Sequence, residues 1–530
     1  MFRRMLAAAS ASAVLSALLV SPVAAQQEAA RPTLVVFITV DQMRADYFER
    51  FKTQLSGGLK RLYDGGAFFT QGFQDHGITE TAPGHASTMS GRFPVHTGIV
   101  MNSQGVNTRE APLINAPELG ASPFRFQGTT LTDWMRAADP AMRFLSVSRK
   151  DRGAILPIGR SKGDVYWWSA NGTFTTSTYY TDALPNWVNA FNGRKLAQGY
   201  AGKTWDLLLP KSAYPEPDSV SVESLGIDYA FPHEMANDPD FATKNLAGFP
   251  WMDDVTLAFA LEGVKQKELG ASANRTDLLA VSLSTTDAIG HRFGPDSREL
   301  HDHILRLDRA LGVFLDSLFK MRDERRIIVA LTGDHGMTPF PTLKSTLYPN
   351  QGAKRVSLDF PLHALRERLA DAGVDTLALQ FDDGVMVVAK PEAFQKVKMN
   401  ADSVLADFAK DIMRVQGVAR ADLITELAKA DTVTDTIARR WLHQFPVNGS
   451  ARLLITLTQY SYWIGTTYAT HGSPWDNDAN VPILFWGSGV KPGVFTEFVR
   501  VVDMAPTLAE LLQVKPLEKL DGVPLRQVIR

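Results

Sequence analysis

An uninterrupted apolar and β-branched run, Leu34 to Val40, ends abruptly in Asp41. A run of this length without polar alternation predicts a strand buried on both faces, as in a parallel sheet. The pattern recurs. Phe144–Ser148 is followed by Arg149-Lys150-Asp151-Arg152, and Leu278–Leu283 by Ser284-Thr285-Thr286-Asp287 and then Gly290-His291. Ile327–Leu331 runs into Thr332-Gly333-Asp334-His335, and His471-Gly472-Ser473 precedes an apolar run from Val481 to Trp486. Leu300, Ile304, Leu307, Leu311, Phe314, Leu315 and Leu318 share one face of a helix between the third and fourth strands. The alternation predicts an α/β fold with a mostly parallel central sheet flanked by helices. Such sheets bind ligands beyond the carboxyl ends of their strands. Asp41, Lys150, Asp287 and Asp334 all fall there.

The N-terminus reads as a secretory signal peptide: Arg3-Arg4, an apolar stretch from Leu6 to Val20, and a small-residue cleavage site at Val23-Ala24-Ala25. The apolar stretch is too short for a membrane anchor, so the expected location is the periplasm or the exterior. Cleavage after residue 25 leaves 53 basic against 57 acidic residues, a charge of −4. That balance lacks the basic excess of a nucleic-acid-binding protein. The chain has no cysteine, which excludes disulfides, a thiol nucleophile and a thiolate metal site. Any metal must sit on Asp, Glu and His.

The core is expected from residues 26–160, 250–342 and 463–530. Residues 161–249, rich in aromatics, Gly, Asn and Thr, read as an irregular insertion. Residues 343–462 read as an α+β cap, with helices near Leu362–Leu369 and Asp402–Val415 and strands near Val385–Ala389 and Leu453–Leu457.

Two carboxylate–imidazole pairs carry the metal signal. Asp287 and His291 stand four residues apart, and Asp334 and His335 are adjacent. With Asp41 and His471 they form a set of oxygen and nitrogen ligands suited to zinc, with manganese or iron as alternatives. Ile78-Thr-Glu-Thr-Ala-Pro-Gly-His85 reads as a loop turning into a helix, with Pro83 in the first turn. Thr81 would then stand as a cap beside unpaired backbone N–H groups that could seat an anion. His301 and His303 are expected in solvated or capping roles.

The order Asp41, Thr81 in Thr-Ala-Pro-Gly-His, Asp287-x-x-x-His291, Asp334-His335, His471 resembles the alkaline phosphatase superfamily, in its two-metal phosphatase and phosphodiesterase branch. Lys150-Asp151-Arg152 with Asn102 resembles the bacterial alkaline phosphatases that use threonine as nucleophile. The resemblance implies two Zn²⁺ ions, one on Asp287, His291 and His471, the other on Asp41, Asp334, His335 and the Thr81 oxygen. It also implies Thr81 as nucleophile through a phosphothreonine intermediate, and Asn102, Lys150 and Arg152 as phosphate ligands. Lys150 and Arg152 suit the second charge of a monoester, so small phosphate monoesters are the expected substrates of a monomeric enzyme. Two other readings stand beside this one: a nucleotide pyrophosphatase/phosphodiesterase on the same scaffold, and a non-catalytic zinc- or phosphate-binding periplasmic protein.

Overall fold

The computed structural model describes residues 31–343 and 353–530; the signal-peptide segment lies outside them. The core is a nine-stranded sheet. Its strands in chain order are β1 (Leu34–Val40), β2 (Ala67–Phe73), β3 (Phe144–Ser148), β4 (Asp164–Trp168), β5 (Phe174–Thr175), β6 (Asp277–Leu283), β7 (Ile327–Gly333), β8 (Ile483–Gly487) and β9 (Gly493–Arg500). Across the sheet they lie in the order β9-β2-β8-β7-β1-β6-β3-β4-β5. β1 pairs in parallel with β6 and β7, and β3 in parallel with β6 and β4. Only β8 and β5 run against their neighbours.

Every residue of β1 is buried, because the strand feeds two separate apolar layers. Leu34, Val36, Ile38 and Val40 face one layer with the helices Trp251–Gln266 and Arg298–Met321. Val35 and Phe37 face the other, with the helices Leu131–Ala138 and Met504–Leu512. The register then fixes the site. Val40 stands opposite both Leu283 and Gly333, so Asp41, the turn leading to Asp287, and Asp334 leave the sheet at one level.

The sheet extends further than its sequence suggests. Residues 164–168 and 174–175, inside the segment read as an irregular insertion, form β4 and β5. Tyr166 and Trp167 are buried in opposite layers, a use of aromatic residues that a strand favours. Beyond them, residues 176–250 hold only short elements. Within 343–462, the strands Leu379–Asp382, Val385–Val388, Ala451–Leu457 and Val418–Leu423 make a separate antiparallel sheet in that spatial order. The helices Asp359–Asp371 and Ala401–Ile412 pack on it around their own apolar cluster. Among the described residues no helix is long and apolar enough to cross a membrane.

The cap is tied to the core next to the Thr81 loop. Trp441 of the cap packs so closely on Gly77 that a Cβ there would lie 2.5 Å from its ring. Asp75, in the loop after β2, accepts hydrogen bonds from Arg439 Nε at 2.9 Å and Arg440 Nε at 3.3 Å. Asp75 and Arg440 are both almost fully buried. Burial raises the Asp75 pKa, but His443, Arg439 and Arg440 outweigh it and hold the carboxyl well below the usual range. A lowered carboxylate pKa stabilises the fold fully above the unfolded value near 4, and that contribution fades as pH falls below it. Asp75→Ala leaves Arg440 buried without this partner and is expected to lower the unfolding free energy by about 3–5 kcal/mol. Denaturant titrations of both proteins at neutral and acid pH check this: the gap should narrow as pH falls.

Candidate active site

Thr81 is the first residue of the helix Thr81–Thr88, whose cap position belongs to Glu80. Its hydroxyl makes no capping bond. Oγ1 instead lies 3.3 Å from Lys150 Nζ and 3.5 Å from His335 Nε2, so the cap expectation fails. The anion seat of backbone N–H groups is narrower than expected. Ala82 N donates to Asn102 Oδ1 at 2.8 Å, Pro83 has no N–H, and Gly84 N donates to the Glu80 carbonyl at 3.0 Å. Anion binding at this helix start must therefore draw on side chains as well.

Gly84 lets this helix approach β7. A Cβ at Gly84 would lie 2.2 Å from the Asp334 carbonyl oxygen. His85 locks the contact: its Nδ1 lies 2.9 Å from both the Thr81 carbonyl and Asp334 Oδ2, and its Nε2 is 2.8 Å from Ser282 Oγ.

The carboxylates converge. Lys150 Nζ stands 2.6 Å from Asp41 Oδ2 and 2.7 Å from Asp287 Oδ2. His335 Nε2 stands 3.4 Å from Asp41 Oδ1 and 3.6 Å from Asp334 Oδ2, while His291 Nε2 is 3.2 Å and His471 Nε2 3.8 Å from Asp287 Oδ1. Two ligand groups emerge among the described residues: Asp287, His291 and His471, and Asp41, Asp287 and His335. Asp287 belongs to both. Asp334 stands at the edge of the second, its Oδ1 accepting from Gln42 N at 2.9 Å and its Oδ2 facing His85.

Each of the three imidazoles has Nδ1 against a backbone carbonyl: His291 on Ala469 at 2.6 Å, His335 on Gly336 at 3.0 Å, His471 on Thr79 at 2.8 Å. A carbonyl only accepts, so Nδ1 carries a proton and Nε2 points to the centre, the orientation that suits a metal ligand; on His335 the carboxylates also favour a proton on Nε2, which a bound cation would displace.

Charge at the centre is unbalanced without a cation. Burial and Asp287 push the Asp41 pKa up, but Lys150 and His335 hold it well below the normal range. Burial likewise opposes ionisation of Asp287, and Lys150 and His291 override it. Burial alone would lower the His335 pKa, yet Asp334 and Asp41 pull it up to about 9. Neither oxygen of fully buried Asp41 accepts a well-formed hydrogen bond. The Lys150 ammonium thus occupies the point between two carboxylates where a divalent cation would satisfy both.

The remaining expected residues lie nearby. Asn102, opening a short 3₁₀ turn, commits Oδ1 to Ala82 and its own N–H to Glu80 Oε2 at 2.6 Å, which leaves its amide NH₂ as a donor. Arg152 follows Lys150 on the helix Asp151–Ile155; its Nε is buried without a partner.

Supporting residues escape sequence reasoning. Gln42, in a left-handed conformation with φ 67°, bridges Asp334 through its N–H and Asp287 Oδ1 through Nε2 at 3.1 Å. Asp253 and His303 hold the start of the helix that carries Asp287, through Thr285 Oγ1 at 2.7 Å and Thr286 Oγ1 at 2.9 Å. His303 and His301 are buried, contrary to the solvated roles expected; His301 Nδ1 pairs with Glu216 at 2.9 Å.

Residues 35–473 match the family model described as type I phosphodiesterase / nucleotide pyrophosphatase. The chain is 32% identical to the alkaline phosphatase PhoV of Synechococcus elongatus, over 94% of this chain and 92% of that protein. A Myroides odoratus protein named calcium-transporting ATPase is 30% identical, over 96% of each. The crystal structure of wild-type alkaline phosphatase PafA superposes with a TM-score of 0.86 at 26% identity, covering 94% of this chain and 99% of that one.

Gly84→Ala must drive the helix from β7 and is expected to cost about 1–3 kcal/mol of stability. It should also loosen the Asp41–Asp334–His335 side of the centre. Metal analysis after equilibration with Zn²⁺, beside thermal unfolding, tests this: undiminished metal content would contradict the role given to the close approach.

Proposed function

Because the chain belongs to the type I phosphodiesterase / nucleotide pyrophosphatase family, within the alkaline phosphatase superfamily, we propose that it is a two-zinc phosphatase that hydrolyses phosphate monoesters through a phosphothreonine at Thr81. The observation that carries this reading is the position of the Thr81 hydroxyl, buried at the meeting point of Lys150, His335 and the convergent carboxylates. Its likeness to PhoV and PafA over nearly the whole chain supports the same reading.

The donor set fits divalent cations. One ion would be held by Asp287, His291 and His471, the other by Asp41, Asp334 and His335 with the Thr81 oxygen. An all-oxygen-and-nitrogen set with Nε2-directed imidazoles suits zinc. Bound zinc supplies Lewis acidity that lowers hydroxyl and water pKa values and stabilises charge on phosphoryl oxygens.

The chain's own residues divide the remaining work. Thr81 Oγ1 attacks phosphorus in line with the departing alcohol, forming one P–O bond as the other breaks. Water then attacks the phosphothreonine, releases inorganic phosphate and restores the hydroxyl. Lys150, which here pairs with Asp41 and Asp287, would turn its ammonium to a non-bridging oxygen if those carboxylates held cations instead. Arg152 and the Asn102 amide hold the others, Arg by a forked pair of hydrogen bonds. A monoester near alkaline pH carries two charges and meets two cationic side chains, whereas a diester carries one and needs room for a second substituent. Secretion behind the leader and a periplasmic or extracellular location belong to this reading.

Thr81→Ala is expected to lose on the order of 10³-fold or more in turnover of an aryl phosphate while still binding metal. Acid-quenched wild-type protein should yield a phosphorylated Thr81 peptide by mass spectrometry. A Thr81→Ala variant of near-wild-type activity would refute the nucleophile. A second comparison sets the aryl monoester against the matching diester, with ATP as a further substrate. The monoester should be preferred, and Lys150→Ala with Arg152→Ala should narrow that preference by about tenfold or more, the scale of charge-assisted contacts. A wild-type preference for the diester would favour the phosphodiesterase reading instead.

A further inference from the structure

Between the Thr81 centre and the cap lies a cavity of about 270 Å³, reached past Asn102, His291 and His471. Its charged lining is acidic: Glu80, Asp383 and Asp478. Its cap side is aromatic, with Trp441, Tyr462 and Trp463, and among the described residues no lysine or arginine lines it.

The three acids differ. Asp478 is saturated, accepting from Thr338 Oγ1 at 2.7 Å and from Ser473 N and Oγ at 3.0 and 2.6 Å. Glu80 takes the Asn102 N–H on one oxygen. Asp383 stands at the tip of the cap hairpin between Leu379–Asp382 and Val385–Val388, with φ 43°. Its Oδ2 lies 3.5 Å from where a Cβ on Gly472, the residue after His471, would stand. Trp463 packs on the same hairpin tip, its ring 3.3 Å from a Cβ built on Gly384 and edge-to-face with Phe381 at 5.4 Å. Two arginines of the cap are committed elsewhere. Arg440 pairs with Asp75 and Asp476, and Arg355 donates to the Thr466 carbonyl.

Phosphate side chains of one sign, Lys150 and Arg152, thus adjoin a leaving-group chamber of the other. We propose that this chamber selects alcohols that carry an ammonium group, so that the preferred substrates are phosphate monoesters of amino alcohols. The phosphoryl group lies against Lys150, Arg152 and Asn102. The ammonium lies between Asp383 and Glu80, against the face of the Trp463 ring, where carboxylate attraction and cation–π attraction add. A leaving group bearing a second phosphate is repelled. This inference rests on the monoesterase reading and specifies its substrate class.

The test compares choline phosphate with 3,3-dimethylbutyl phosphate, its uncharged isostere, in wild-type protein, Asp383→Asn and Trp463→Leu. The two alcohols differ intrinsically as leaving groups, but that difference is common to all three proteins and cancels in the comparison. The ratio of their kcat/KM values should fall about fivefold to tenfold in each variant. In wild type, tetramethylammonium chloride should inhibit aryl phosphate hydrolysis competitively and more strongly than sodium chloride at equal ionic strength. Hydrolysis of both phosphates with an unchanged ratio in the variants overturns the inference alone. Equal inhibition by the two salts does the same even where a variant fails to fold. Wild-type protein that hydrolyses no monoester overturns the monoesterase reading, and this inference with it.

Discussion

The structure depends on a cluster of like charges that cannot stand alone. Asp41, Asp287 and Asp334 are buried at the carboxyl edge of one sheet, where an isolated carboxylate is strongly disfavoured. The sheet brings them together because parallel pairing at matched register leaves no alternative: Val40, Leu283 and Gly333 end side by side. Three imidazoles oriented by backbone carbonyls, and an ammonium held between two carboxylates, are the answer the chain supplies from its own residues. The carboxylate charges and the Nε2 positions of the imidazoles are what a divalent cation would engage more fully.

This constraint explains residues that touch no substrate. Gln42 adopts a left-handed backbone so that one residue can donate to both Asp334 and Asp287. Gly84 lacks a side chain because the helix bearing Thr81 must touch the Asp334 backbone. Asp253 and His303 hold the helix that carries Asp287 from behind, and burial lowers the His303 pKa to about 3. A neutral imidazole there adds no further charge to a site already crowded with it. Rigidity is the common product, and a nucleophile needs it.

How much of this was legible in the sequence follows from the range of the forces. The buried strands announce themselves through hydrophobic composition, a local property, so β1 and β3 are found to the residue. β2 and β9 escape, β2 because Thr70, Gln71 and Gly72 interrupt it and β9 because it is a largely exposed edge strand. β4 was concealed by an aromatic cluster that could equally have served an irregular insertion. At the site, residue types separated by strand-to-loop boundaries were enough to nominate the carboxylates and imidazoles. The sharing of Asp287 between two ligand groups and the bracing by Gln42 depend on contacts across about 245 residues of chain, which no local pattern encodes.

The Thr81 helix shows how a residue can be nominated on one local picture and supported by another. Thr-Ala-Pro-Gly reads as a capped helix start whose free N–H groups cradle an anion. In the fold Glu80 takes the cap position, Asn102 takes the Ala82 N–H, and proline removes the next. The donors at Ala82 and Pro83 are therefore used or missing before any anion arrives, and much of the terminus's contribution is geometric. It fixes Thr81 at a first turn whose hydroxyl has no capping duty. A hydroxyl held beside the Lys150 ammonium and the His335 imidazole without a capping bond is a better candidate nucleophile than a capping one, because no hydrogen bond to its own backbone must break before it reacts. Under the proposed phosphatase reading, selection for phosphate rests largely on Lys150 and Arg152, whose charge can distinguish a dianion from a monoanion, with the neutral Asn102 amide as a further donor.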